Sequence, residues 1–346
     1  MNKFSSKKKN KFENERKVIE CFFADGVAIF WFILGFHLFN NKDYFILIKK
    51  VFKAIYIKFF SLAFIFMLYN NFFSDEPLFP KFEDFKKAFL TLLTFKNPFP
   101  FCSASWYLYT YFFVIFLFPV LNQFIKYLDE DSSRQRNFLI ITFIMLVIND
   151  FMYNQTFLFS HISINSVFPA SIQIIWGYLF YKNHLLFQRK IYSIISITFF
   201  IIINFIRSIF LIKYPCRNIV YWYSSFGILN ALMIAIFSFC IINNEKCEKS
   251  YHYLINYFAS NTFGVYLIHI WVRDILLNNN YGKYLASFTY EKYVNNFIFV
   301  VYYLILLTLS IFIICSIIVQ ISSWIINLFF KIVENFVKVL KNNKID

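Results

Sequence analysis

Blocks of about twenty apolar residues recur along the chain, and charged residues, prolines or clusters of asparagine bound each block. A helix needs about 20 apolar residues to cross the hydrocarbon core of a bilayer, so each block predicts one membrane span. The nine predicted spans are residues 21–39, 55–73, 106–125, 137–153, 166–181, 191–212, 219–242, 254–276 and 294–320. A further amphipathic stretch, 322–341, follows the last span.

This pattern predicts an all-α, polytopic integral membrane protein with about nine to ten transmembrane helices. We divide the chain into a basic N-terminal leader at 1–20, a transmembrane domain at 21–320 and an amphipathic cytoplasmic tail at 321–346. Lysines in the tail place the C-terminus in the cytoplasm by the positive-inside rule. Nine spans then leave the basic leader outside, against the same rule, so either one span is miscounted or a helix is missing.

Composition agrees with a membrane protein and narrows its partners. Of the 346 residues, 59% are apolar and only 15% are charged, whereas soluble domains carry about 25% charged residues. The net charge of +15 comes from short basic clusters between apolar blocks, which suit topology and anionic lipid headgroups and exclude nucleic acid as the expected partner. The six cysteines show neither metal-ligand nor paired spacing, so we expect no metal and no disulfide framework.

Two segments contain residues suited to chemistry. The third span opens with Trp106 after a proline-rich turn, and a Trp at this position is by default an interfacial anchor. The eighth span contains a polar run that begins at Asn261 and ends at His269. A neutral imidazole there can accept a proton, although an intramembrane His can equally be a hydrogen-bonded structural group.

These segments resemble the membrane-bound acyltransferase 3 family, whose members O-acylate sugars of cell-surface polysaccharides and related glycans. Its late-helix motif S-F-G-x-Y-L-x-H is similar to the run from Asn261 to His269, with Thr262 at the Ser position. Three further helices of the family are matched in order, by the run from Phe30 to Phe36, by Trp106-Tyr107-Leu108 with Pro119, and by Trp176-Gly177-Tyr178. The resemblance extends from about residue 20 to residue 320.

The chain departs from the family pattern near its N-terminus. Family members usually begin with a helix in which a basic residue is followed eleven positions later by a His that is thought to be needed for acyl transfer. Here Arg16 is followed at that distance by Val27, and no His precedes His37. The Ser of the early helix is Leu34. Loss of the first helix of a ten-helix relative also explains the odd number of spans.

The resemblance implies transfer of an acetyl or other acyl group from acetyl-CoA to a glycan hydroxyl, or to a lipid-linked glycan precursor, in a bacterial cytoplasmic (inner) membrane. Such a transfer needs a general base and a donor that stabilises the oxyanion. We expect His269 to accept the proton or to hydrogen-bond in the site. His37 is either a stand-in base or an interfacial His without a catalytic role. The expected CoA phosphate contacts are Lys49, Lys50 and Lys53, which otherwise anchor the inner face, and the expected substrate path contains Trp106, Asn261 and Arg273.

Several alternatives stay open from the sequence. Asp25, Asn204 and Arg207, together with Arg273, either line a glycan path or extend to water. The chain is either an active acyltransferase, a catalytically inactive or truncated relative, or a glycan exporter built from the same helices. Membrane lipids and the glycan acceptor are the expected partners, and a second copy or a partner subunit would cover the face that a missing helix exposes.

Overall fold

The computed structural model describes residues 25–39, 43–52, 105–151, 166–187, 189–213, 223–242 and 297–342, with isolated positions at 21, 56–64, 83–90 and 261–273. All regular secondary structure in these residues is helical, which confirms the predicted all-α class. The leader 1–20 and Lys53 lie outside the described residues. The described helices are α1 (Gly26–Leu38), α2 (Tyr44–Val51), α3 (Ser105–Phe116), α4 (Phe118–Asp129), α5 (Ser132–Phe151), α6 (Val167–Lys182), α7 (Lys190–Lys213), α8 (Ser225–Ile242) and α9 (Phe297–Asn342).

The chain divides into two compact units. One consists of residues 1–47 and 108–247, and the other of residues 48–107 and 248–346. The first unit therefore contains α1 and the helices from α4 to α8, and the second contains α9.

Helix α1 is central in the first unit, because it packs against both α6 and α8, and α8 packs in turn against α7. Its buried side chains include Trp31, Phe32 and Phe36. Tilted and stacked ring pairs join Phe36 to two aromatic residues of α6, Phe180 and Tyr181, at centroid distances of 6.0 and 5.3 Å. Large aromatic rings thus fill the space between the two helices.

Two glycines allow α1 and α6 to approach this closely. A Cβ atom on Gly35 would lie 2.8 Å from the backbone nitrogen of Tyr178, and one on Gly177 would lie 2.8 Å from the carbonyl carbon of Phe32. Real Cβ atoms essentially never approach another heavy atom within 3.0 Å. The crossing is therefore a backbone-to-backbone contact, of the kind that small residues permit in membrane helix pairs.

The predicted span at 106–125 is not one straight helix, because the chain bends by 65° between α3 and α4. Pro119 stands at the second position of α4. Proline lacks a backbone N–H and its ring clashes with the carbonyl four residues earlier, so it kinks a continuing helix. The apolar run continues through the bend, but the helix axis does not.

In the second unit, α9 extends over 46 residues, or roughly 70 Å at the rise of an α-helix. The sequence predicts two separate stretches here, 294–320 and 322–341, and the structure joins them in one helix. Gly264 lies against this helix, since a Cβ atom there would approach the Val319 methyl groups to 2.5 Å. This contact fixes the position of the His269 segment along α9.

Two helices in the described part of the chain are long and apolar enough to cross a membrane, namely α7 and the portion Ile305–Ile325 of α9. The bent pair formed by α3 and α4 adds a third if it is one broken span. The bounds of α7 and α6, 190–213 and 167–182, agree with those of the predicted spans 191–212 and 166–181 to within one residue, and of these two helices only α7 is long enough to cross a membrane. The total of nine spans stays a prediction.

Candidate functional site

The segment around His269 presents a buried face and a more accessible flank. Asn261 is buried, and so are Val265, Ile268 and Val272, which follow it at helical spacing. His269 is half-buried and Arg273, four residues later, is exposed. These two residues therefore share one flank of the segment, at the edge of its packed face.

The side-chain nitrogen of Asn261 has no hydrogen-bond partner among the described residues, although the residue is buried. A buried amide without a partner is costly, so this position is a polar site within an apolar surface. It lies two helical turns before His269 on the same segment.

His37 lies in the last turn of α1 and its side chain is exposed. It belongs to the first unit, whereas Asn261, His269 and Arg273 belong to the second. Its ring stands edge-on to Phe36, with 6.4 Å between the centroids. The position is open to solvent or headgroups rather than enclosed by protein.

Lys49 and Lys50 form the last turn of α2, and both are exposed. The helix begins at this place because the Asp43 carboxylate accepts hydrogen bonds from the backbone N–H groups of Phe45 and Ile46, at 2.8 and 3.1 Å. Positive charges at a helix C-terminus interact favourably with the helix dipole. Both lysine side chains are exposed at this end of α2. Two of the three predicted CoA-contacting lysines are thus accessible to an anionic ligand.

Trp106 lies in the first turn of α3, and its side chain is outside the described part of the structure. The next two residues, Tyr107 and Leu108, are buried. The start of α3 is therefore packed on protein at these two positions.

The most extensive polar arrangement in the described residues is a buried cluster in the first unit, made of Asp25, Asn204, Arg207 and Asn230. Nη1 of Arg207 donates to both carboxylate oxygens of Asp25, at 2.9 and 2.8 Å. Asn230 donates to Asp25 at 2.5 Å and to the side-chain oxygen of Asn204 at 2.9 Å. None of the four side chains is more than 3% exposed.

This buried cluster connects three helices. Asp25 precedes α1, Asn204 and Arg207 lie on α7, and Asn230 lies on α8. Asp25 occupies the N-cap position of α1 but makes no side-chain cap hydrogen bond, because its carboxylate faces Arg207 instead. The opposite charges offset much of the cost of removing both groups from water.

A second buried carboxylate lies near the cluster. Asp150 on α5 accepts hydrogen bonds from the backbone N–H and the hydroxyl of Ser225, the first residue of α8, at 2.8 and 2.5 Å. A carboxylate at a helix N-terminus is stabilised by the helix dipole. Asp150 also interacts electrostatically with Arg207. It therefore extends the polar connections of α8 to a fourth helix.

These buried charges are held by protein groups, and solvent does not reach them in this structure. Asp25, Asn204 and Arg207 are accordingly enclosed, so the alternative that they extend to water is wrong, whereas their place in a glycan path stays a prediction. Asn230 and Asp150 were not identified from the sequence at all. The sequence does contain opposite charges in two separate apolar blocks, Asp25 and Arg207. Charges within a membrane are generally paired, so this feature could have suggested a buried ion pair.

Among the described residues, no group of three or more His, Cys, Asp and Glu side chains is placed to hold a metal ion. Among the predicted site residues that the structure describes, His269 and Arg273 lie on an accessible flank, and Lys49 and Lys50 are exposed at the end of α2.

The helices and their apolar faces define an all-helical protein of the polytopic membrane class. A model of the acyltransferase 3 family, described as an acyltransferase domain, matches residues 17–329. The chain belongs to this family and is a membrane acyltransferase that transfers groups other than aminoacyl groups. No curated protein and no solved structure matches it. The match confirms the resemblance found in the sequence over nearly the same residues.

Proposed function

We propose that the protein transfers an acetyl group from acetyl-CoA to a hydroxyl of a cell-surface polysaccharide, or of its lipid-linked precursor, in a bacterial cytoplasmic membrane. The observation that carries this proposal is the family match over residues 17–329. The accessible His269 flank and the exposed lysines of α2 supply groups of the required chemistry.

His269 is the proposed proton acceptor for the acceptor hydroxyl. An alcohol is a poor nucleophile while protonated, and a neutral imidazole within hydrogen-bond reach can remove that proton as the C–O bond forms. The thioester C–S bond then breaks, and the CoA thiolate takes up a proton. The half-buried position of His269 leaves one edge of the segment accessible, and Arg273 provides a positive charge on the same flank.

Lys49 and Lys50, with Lys53, are the proposed contacts for the phosphates of acetyl-CoA. Lys49 and Lys50 are exposed at the end of α2, where charge-assisted hydrogen bonds to phosphate form without desolvating a buried ammonium group. We expect Lys49→Gln and Lys50→Gln to raise KM for acetyl-CoA and to leave kcat nearly unchanged. Lys213→Gln, at an exposed lysine that ends α7, is the matched control.

The decisive experiment measures O-acetyl groups on the surface polysaccharide by proton NMR. The strains compared are wild type, a deletion, and the deletion restored with wild type, His269→Ala or His37→Ala. We expect the ester signal to disappear on deletion, to return with wild type and His37→Ala, and to stay absent with His269→Ala, because losing a general base costs about 10²–10⁴ in rate.

Each contrary outcome has a defined meaning. Unchanged ester content in the deletion strain refutes the proposed acylation and favours a catalytically inactive relative. Glycan that accumulates inside the deletion strain with its esters intact favours an exporter. Rescue by His269→Ala combined with failure of a stably produced His37→Ala assigns the base to His37.

A further inference from the structure

Helix α4 presents three separate faces around its axis. Four side chains, Phe118, Leu121, Ile125 and Leu128, are buried. Three apolar side chains on a second face are exposed, with Val120 at 66%, Phe124 at 36% and Tyr127 at 51%. At 3.6 residues per turn, the buried face and the exposed apolar face are adjacent and together cover about half of the helix surface.

The remaining face of α4 is polar. After Pro119 at the start of the helix, it consists of Asn122, Gln123, Lys126 and Asp129, which fall within an arc of about 120° opposite the apolar surface. Gln123 and Lys126 are exposed. A helix with one stripe packed on protein, one exposed apolar stripe and one polar stripe is suited to lie at the membrane interface, with the apolar stripe towards lipid and the polar stripe towards water.

The bend between α3 and α4 also indicates that α4 lies near the membrane plane. If α3 lies along the membrane normal, a bend of 65° places the α4 axis within about 25° of the membrane plane, close to the orientation of an interfacial helix. A transmembrane course would instead require the polar stripe of α4 to sit in hydrocarbon, where polar and charged side chains are costly.

The end of α4 is tied to the end of α6. The Tyr178 hydroxyl donates to the Asp129 carboxylate at 2.6 Å, and Lys182 forms an ion pair with the same carboxylate at 2.8 Å. Next to it, Arg134 of α5 pairs with Glu130 at 2.6 Å and lies 4.1 Å from the Tyr127 ring centroid. The acidic side chains Asp129 and Glu130 are thus engaged by protein cations.

Two further cations, Lys126 of α4 and Arg136 in the first two turns of α5, are exposed at this end of the unit. Exposed Arg189 lies in the connection from α6 to α7, and exposed Lys190 is the first residue of α7. Helix α4 and its neighbours therefore combine an exposed apolar stripe with exposed positive charges, which is the combination that binds an anionic lipid surface.

We propose that α4 is an interfacial helix, that Val120, Phe124 and Tyr127 insert at the headgroup and acyl boundary, and that Lys126 and Arg136 bind anionic phospholipid headgroups. The occupant of this face is the lipid leaflet, because the apolar stripe needs hydrocarbon and the exposed cations of α4 and α5 need negative charge. The proposal does not depend on the acyl acceptor or donor.

The first test measures depth along α4 with a nitroxide attached to single cysteines, Val120→Cys, Phe124→Cys or Tyr127→Cys, in a full-length chain whose native cysteines are replaced by alanine. Collision rates with oxygen and with a nickel chelate give the depth of each label in vesicles. We expect all three labels at similar shallow depths and a water-accessible label at Gln123→Cys. Native elution in size exclusion verifies each variant.

Two results would overturn the assignment. A steady change in depth of about 10 Å from position 120 to position 127 means that α4 crosses the bilayer, because an α-helix rises 1.5 Å per residue. Labels that neither oxygen nor nickel reaches mean that protein, either a second copy or another subunit, covers the face.

The second test keeps the native cysteines and measures the association of spin-labelled phosphatidylglycerol and phosphatidylcholine with the purified protein in vesicles. We expect a preference for phosphatidylglycerol that falls about fivefold with Lys126→Gln and again with Arg136→Gln, because a cation near the surface contributes about that factor. Lys213→Gln, at the opposite end of α7 from Lys190, is the control. An absent preference, or an equal loss in the Lys213→Gln control, refutes headgroup binding.

Discussion

The close contact between α1 and α6 predicts that adding a single methyl group at this contact destabilises the protein. Gly177→Ala places a Cβ atom 2.8 Å from the carbonyl carbon of Phe32 and closer still to its oxygen. The obstacle is backbone, so no side-chain rotation relieves the overlap. The two helices must separate by about 1 Å, and a gap of that size forfeits between a quarter and a half of each van der Waals contact across it.

The expected destabilisation follows from these distances. Overpacking costs about 1–3 kcal/mol, and a backbone obstacle places Gly177→Ala at the upper end. Replacing Gly by Ala in a helix gains about 1 kcal/mol of intrinsic propensity, which offsets part of this cost. Gly26→Ala is the matched control on α1, because nothing lies within 4 Å of a Cβ atom at that position. The difference in unfolding free energy between Gly177→Ala and Gly26→Ala therefore gives the cost of the backbone overlap, which we expect to be about 3 kcal/mol.

Thermal unfolding of the two purified variants in detergent, followed by size exclusion or light scattering, measures this difference. We expect Gly177→Ala to unfold several degrees below wild type and Gly26→Ala at or above it. Gly35→Ala should resemble Gly177→Ala, and the double variant should lose less than the sum of both, because one methyl group already separates the helices. Equal midpoints for Gly177→Ala and Gly26→Ala would refute the backbone contact.

Other contacts make shorter predictions. Arg207→Met should destabilise the protein by about 3–5 kcal/mol by leaving the Asp25 carboxylate buried and unpaired, and combining it with Asp25→Leu should restore most of the loss, both measured by thermal unfolding. Ser225→Ala removes the hydroxyl donor to Asp150 but keeps the backbone donor, so it should cost only about 1–2 kcal/mol in the same measurement, and a larger loss would contradict the observed pair of hydrogen bonds. Gly264→Leu should abolish native elution in size exclusion because its side chain would overlap α9, whereas Gly264→Ala with Val319→Ala should retain it.

The helices that the sequence predicts well are those whose apolar run ends where the helix ends. Charges bound α7 at Lys190 and Lys213, and α6 ends at Lys182. For these two helices a count of apolar residues finds both ends. The same count misses the bend within 106–125, because the apolar run continues through Phe118 and Val120 although Pro119 between them bends the axis.

The close crossing of α1 and α6 shows what local patterns omit. Gly35 and Gly177 both stand in runs that resemble the acyltransferase 3 family, and the resemblance places each of them on a helix. Neither run contains information about the other, so the sequence does not show that the two glycines lie at the same helix–helix contact. A contact between backbones leaves no hydrophobic pattern, since the contacting residues have no side chains.

The buried pair of Asp25 and Arg207 could have been anticipated in part. Arg207 stands six residues before the end of α7, which suggests a side chain that extends to water. The polar residues of this helix nevertheless follow one stripe, since Asn204, Arg207 and Ser208 recur at helical spacing and all are buried. In a helix otherwise covered by Ile and Phe, such a stripe predicts the side that faces protein, because lipid accepts no hydrogen bonds. The identity of the partner still requires the fold, since 182 residues separate Asp25 from Arg207.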